Sequence, residues 1–409
     1  MTSSITKFDG HNPSNIQING KLLLIISITL VSILGIVSIN PILPTIAQDL
    51  RIPTEHVGFI MTVFLIPTTI GTLIFGTLAD RIGKKKVLIP SLLVFGIGGI
   101  LCASANSFRS LLEWRFLSGF GSASLETVEL ALISDLYSGK ALTSVMGLNS
   151  AMIGIASAIY PLIGGVLGGL SWRYVFLLSA SAIPVAFLIA TRLKLPQDYN
   201  TTSAQKVNTK SYVINTLKSI NNPKVFGLLL TIFSMFIIEF GVSYSYVPIY
   251  AGKVLGASST QIGIIFSLDS VAFAIVASQL GFLARNISEK KLICIGFLLC
   301  GLSTLIIPTV HNPWFLIFPC VLFGSSQALV FPSLQAMLAS IAPEGYRSGF
   351  MALNVTVQSF GRAVGPILGG FIYGIFGIQG VFYGCFLLTI FTTIIFNFLV
   401  SSRKPKKSY

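Results

Sequence analysis

Gly76-Thr77-Leu78-Ala79-Asp80-Arg81-Ile82-Gly83-Lys84-Lys85-Lys86-Val87-Leu88 joins an apolar run that begins near Val57 to another that begins at Val87. Five ionic side chains in so short a loop must lie in water or among headgroups, because charge inside hydrocarbon is costly. The stretch reads as a tight helix-to-helix hairpin at a membrane face.

The same pattern returns, degraded, from Gly281 to Ile293, at an offset of 205 residues. That offset carries Lys85 to Lys290, Lys86 to Lys291, Gly119 to Gly324 and Asn149 to Asn354. It also carries Pro161, Gly164 and Gly165 to Pro366, Gly369 and Gly370. The chain is one bundle written twice.

With 53% hydrophobic and 10% charged residues, the chain cannot be an ordinary soluble domain, whose charged share is about 25%. The net charge of +14 comes from basic residues in short loops between apolar runs. Membrane orientation explains that placement and nucleic-acid binding does not, since no basic module is available to form a footprint. Cys102, Cys294, Cys300, Cys320 and Cys385 are odd in number, lie in apolar segments and lack paired metal spacing, so they read as small buried hydrophobes. His11, His56 and His311 fall in the tail or at helix ends. Neither a metal site, a cofactor site nor an enzyme's catalytic constellation is expected.

Twelve runs of membrane-spanning length begin near Leu22, Val57, Val87, Leu111, Ala141, Tyr174, Val225, Gln261, Leu292, Trp314, Gly349 and Gly380. The expected fold is an all-α membrane protein of twelve transmembrane helices in two pseudo-symmetric six-helix bundles. A polar tail over 1–20 precedes the first bundle, 21–192. A lysine-bearing linker, 193–224, leads to the second bundle, 225–402, and a basic tail, 403–409. The tail-side loops hold 21 lysines and arginines and the opposite loops 4, so both termini are expected in the cytoplasm of a cell (inner) membrane protein. Gly164 and Gly165 in the fifth run, and Gly361, Gly365, Gly369 and Gly370 in the eleventh, let helix backbones approach closely. Pro161 and Pro366 can bend the same helices, which suits two bundles that rock against each other.

The first hairpin resembles the signature loop between helices 2 and 3 of the major facilitator superfamily at Gly76, Leu78, Asp80, Arg81, Gly83, Lys84 and Lys85. Gly361, Gly365, Pro366, Gly369 and Gly370 are similar to the antiporter motif of that superfamily's exporters, which the family usually carries in helix 5. Here Ala156 and Tyr160 replace two of its small positions. Arg115 and Gly119 match the family's helix-4 Arg-xxx-Gly. The resemblance implies a cytoplasmic gate in which Asp80 pairs with the start of the eleventh helix and Arg81 reaches Asp135. It also implies a transporter most like the twelve-helix drug:proton antiporters.

At 100° per residue Glu126 falls about 20° and Glu129 about 40° from Arg115, so all three share one face of the fourth helix. Burial disfavours a charged carboxylate, a second carboxylate one turn away does so further, and an arginine opposes both. A site balanced among those effects can load and release a proton. The repeat supports functional placement: at the offset of 205, neither these three nor Glu239, Asp269 and Arg362 have a charged counterpart. Glu239, Tyr244, Asp269, Gln358 and Arg362 form the candidate cargo site, whose acids and aromatics suit an amphipathic cation. Arg362 equally suits neutralising Glu239 or holding an anion.

The leading expectation is proton-coupled efflux of a lipophilic drug or secreted metabolite by alternating access. The expected partners are a small-molecule substrate, protons and membrane lipids, and the protein reads as a monomer. A carrier of a defined polar solute, such as a sugar, amino acid or siderophore, and a lipid-handling flippase remain alternatives.

Overall fold

The computed structural model describes residues 20–137, 139–193, 221–342 and 347–401; the tails and most of the linker lie outside the described residues. Among the described residues, eleven helical segments are long and apolar enough to cross a membrane. The last of them is two helices, because Gly377 takes φ 68° and ψ −171° in its midst. Twelve crossings result: α1 (Gly20–Asp49), α2 (Phe59–Ile82), α3 (Lys84–Ala103), α4 (Phe108–Leu136), α5 (Gly139–Leu170) and α6 (Trp172–Arg192). The second half comprises α7 (Pro223–Val254), α8 (Ser259–Asn286), α9 (Glu289–Ile306), α10 (Pro313–Ile341), α11 (347–376) and α12 (378–401).

Local chemistry sets the starts. Ser107 and Ser110 form a capping box at α4, and Ser258 and Gln261 another at α8. Asn222 accepts from the Lys224 amide ahead of α7, with Pro223 in the first turn. In the hairpin, Gly83 adopts φ 103°, a region open to glycine but not to residues with a Cβ, so α2 stops there and α3 starts one residue on. Lys85 then donates to Ala190 O (3.0 Å) and Leu193 O (2.9 Å), tying the hairpin to the end of α6.

Within the first half, α1 packs on α5, α3 on α4 and α6, and α2 on α4; in the second, α7 packs on α11 and α10 on α8 and α9. Between halves the principal contacts are α5 with α8 and α2 with α11. These seams are closed at the end away from the hairpin and part toward it. On α8, a Cβ at Gly263 would lie 2.4 Å from Pro161 O, while at Gly281, eighteen residues on and on the same face, it would meet nothing within 4 Å. On α5, a Cβ at Gly165 would lie 2.5 Å from Ser259 O, while Gly154 and Gly147, near the same face, are open. Along α2, a Cβ at Gly58 would strike Pro366 O, Thr62 donates to Ala363 O and Thr69 to Ser359 O, yet Gly76 meets nothing.

The far end is further sealed by α7. Lys253 Nζ donates to Thr54 Oγ1 (2.7 Å), and the Tyr246 hydroxyl lies 3.4 Å from the carbonyls of Thr54 and Glu55. A Cβ at Gly370 would lie 2.3 Å from Glu55 O. The molecule is a wedge, shut at the far end and open between its halves at the hairpin end.

Candidate functional site

The residues expected to form a gate sit at the hairpin end. Asp135, at the end of α4, pairs with Lys84, whose Nζ also lies 3.3 Å from Ala131 O. Arg81 is exposed, and in this form, open at the hairpin end, no ion pair among the described residues joins it to Asp135. The cause is local: the turn at Gly83 swings Lys84, the first residue of α3, beneath α4, while Arg81 stays on the last turn of α2. The Asp80 side chain and those of residues 347–349 lie outside the described residues.

Arg115 and the two glutamates of α4 do not form one site. A shared face is not a shared site: at about 1.5 Å per residue, Glu126 lies about 16 Å and Glu129 about 21 Å along the helix from Arg115. The helix also breaks between Ser122 and Leu125. Arg115, 1% exposed, donates to Gly35 O (3.0 Å) and Ile60 O (3.1 Å), with its guanidinium carbon 4.2 Å from the Phe64 ring centroid. It bolts α4 to α1 and α2. Glu126 is exposed. Glu129, also 1% exposed, lies beside Thr29 and Asn149, which are themselves bonded at 2.7 Å, and its Oε1 has no hydrogen-bond partner.

In the second half the structure does gather the candidate cargo residues. Glu239 opens a π-helical turn, Glu239–Ser243, in α7, a distortion that recurs at functional sites. Gly361 and Gly365 admit α11 against this turn: a Cβ at Gly365 would lie 2.9 Å from both Gly241 N and Ile237 O. Arg362 is thereby laid along α7, its guanidinium carbon 5.0 Å from the Phe236 ring centroid and 5.7 Å from that of Phe240. Tyr244 lies within electrostatic range of Glu239, Asp269 and Arg362, and its ring meets those of Phe240 and Phe266 edge-on. Asp269, 6% exposed, is reached by the Gly324 backbone, but its Oδ1 has no partner. Gln358, one turn before Arg362, donates to Asn354 (3.0 Å). Tyr246, by contrast, belongs to the far-end seal, stacked on Tyr373.

The packing glycines stand at close approaches. A Cβ at Gly164 would lie 2.0 Å from Ser38 O, and one at Gly369 2.6 Å from Gly241 O. The Pro161 and Pro366 carbonyls are the surfaces that Gly263 and Gly58 meet. Thr29, Asn149, Phe236 and Phe240 escaped the reading of the sequence as site residues. One signal was present: the offset of 205 carries Asn149 to Asn354 and Thr29 to Ser234, so buried polar positions recur in both halves.

A repeated helical bundle, parted at one end and holding unpaired charges in its interior, defines a multi-pass membrane transporter. The chain belongs to the Major Facilitator Superfamily, whose sequence profile matches residues 25–258 and 240–409. It is similar to Multidrug resistance protein 2 of Bacillus subtilis (strain 168), at 26% identity over 362 residues, covering 86% of this chain and 88% of that protein. The class E tetracycline resistance protein of Escherichia coli is 22% identical over 364 residues, covering 87% of this chain and 88% of the relative. The crystal structure of a D-xylose-proton symporter shares the fold, with a TM-score of 0.75 at 17% identity over 92% of this chain and 96% of that one.

Proposed function

We propose that the protein exports a lipophilic drug or secreted metabolite in exchange for protons, with the hairpin end facing the cytoplasm. The observation that carries this reading is the cluster of Glu239, Tyr244, Asp269 and Arg362 among phenylalanines in the second half, with no contact ion pair among them. An ionised carboxylate held out of water needs a counter-charge or a proton. Glu239 and Asp269 therefore exchange one for the other: a cationic group of the cargo, arriving through the open hairpin end, displaces protons into the cytoplasm. After the far end opens, protons from outside displace the cargo. Glu129, with its orphaned oxygen beside Thr29 and Asn149, is a second proton-binding position that couples loading to the packing of α1, α4 and α5. The names of the multidrug and tetracycline resistance relatives support the export reading.

The test is transport of ethidium in proteoliposomes under an imposed pH gradient. Gradient-driven movement in wild type, abolished by Glu239→Gln and Asp269→Asn and slowed by Glu129→Gln, is the expected result. Movement that ignores the gradient, or carboxamide variants with unchanged coupling, refutes it. Sugar movement in the same vesicles, with none of ethidium, favours the polar-solute reading instead.

A further inference from the structure

The two intramembrane arginines have opposite fates. Arg115 spends its donors on the carbonyls of Gly35 and Ile60. Arg362 makes no hydrogen bond and no contact ion pair among the described residues, and its Nε is buried without a partner. Its guanidinium lies against the rings of Phe236 and Phe240. Aromatic faces hold an arginine in place but leave its planar fork of donors unused. Glu239 stands close enough to Arg362 to be felt electrostatically, and Asp269 close enough to Glu239, yet neither acid closes an ion pair with Arg362.

We infer that the cargo is a zwitterion on an aromatic frame: its anionic group takes the Arg362 fork, its ammonium takes Glu239 or Asp269, and its ring lies against Tyr244. The inference rests on the reading of this cluster as the cargo site. A simple lipophilic cation would satisfy the acids but be repelled by Arg362, and a simple anion would meet two carboxylates. A molecule carrying both charges meets a complement for each. Arginine is the residue for the anionic end because its fork matches a carboxylate in bidentate fashion, which an ammonium cannot do.

The test uses one fluorophore in four charge states: Nε-dansyl-lysine, its methyl ester, its Nα-acetyl derivative and the doubly blocked molecule. These are titrated onto the full-length protein in nanodiscs. The expected result is that wild type binds the zwitterion about tenfold more tightly than the ester, the scale of one charge-assisted contact. Arg362→Gln lowers affinity for the zwitterion and raises it for the ester, erasing the preference, while Arg362→Lys keeps part of it. Glu239→Gln weakens both amine-bearing probes and spares the Nα-acetyl acid. The inference is overturned if wild type binds ester and zwitterion equally, if none of the four binds, or if Arg362→Gln costs both alike. Ethidium transport under the pH gradient with no preference for the zwitterion leaves the exporter reading standing and removes this one. Preference for the zwitterion with no gradient-driven movement of either ethidium or Nε-dansyl-lysine removes the exporter reading alone.

Discussion

Replacing Gly263 with alanine tests the wedge directly. With the far end shut, the new Cβ would lie 2.4 Å from the Pro161 carbonyl oxygen and 3.1 Å from the Gly165 Cα. Both are backbone atoms of α5, so no side chain can turn aside, and α5 and α8 must separate by about 1 Å to restore ordinary contact. Overpacking of this kind costs about 1–3 kcal/mol. Because the clash exists only while the far end is closed, that cost appears as a population shift of about 5- to 150-fold toward the far-end-open form. Gly281→Ala is the control: it lies in the same helix, makes the same gain in helix propensity of about 1 kcal/mol, and meets nothing within 4 Å. Spin labels at Arg109 and His311, both exposed at the far end of opposite halves, report the separation. Gly263→Ala should lengthen the distance distribution and Gly281→Ala leave it unchanged. Identical distributions in the two variants would refute the rocking seam.

Lys84→Ala should lower thermal stability in detergent by about 1 kcal/mol, because it removes the partly buried ion pair with Asp135, while exposed Lys86→Ala changes little. Arg115→Lys cannot reach both carbonyls and the Phe64 face, so it should cost about 2 kcal/mol in thermal unfolding and leave the pH profile of transport unmoved. A displaced profile would return Arg115 to the proton site. Affinity for the cationic dansyl-lysine methyl ester should fall as pH falls, since protons and the ammonium compete for the same acids. The limit is about tenfold per pH unit for each proton displaced, and a flat titration excludes that competition.

The sequence by itself determined the crossings and their repetition. Membrane-length apolar runs, a charged hairpin at 76–88 and an offset of 205 residues leave few other folds, because hydrocarbon punishes both exposed backbone and stray charge. It also named most of the second-half cluster, since a charge within a span is conspicuous against its surroundings. It could not say which of those charges meet. Angular spacing placed Arg115, Glu126 and Glu129 on one stripe, but the rise of the helix keeps the arginine apart from both glutamates, and neighbouring helices give each a separate environment. Asp135 found Lys84 because of a single backbone turn at Gly83. Tertiary packing alone decided that Arg115 is satisfied and Arg362 is not, because the partners of a buried charge come from helices distant in the chain, where no local pattern records them.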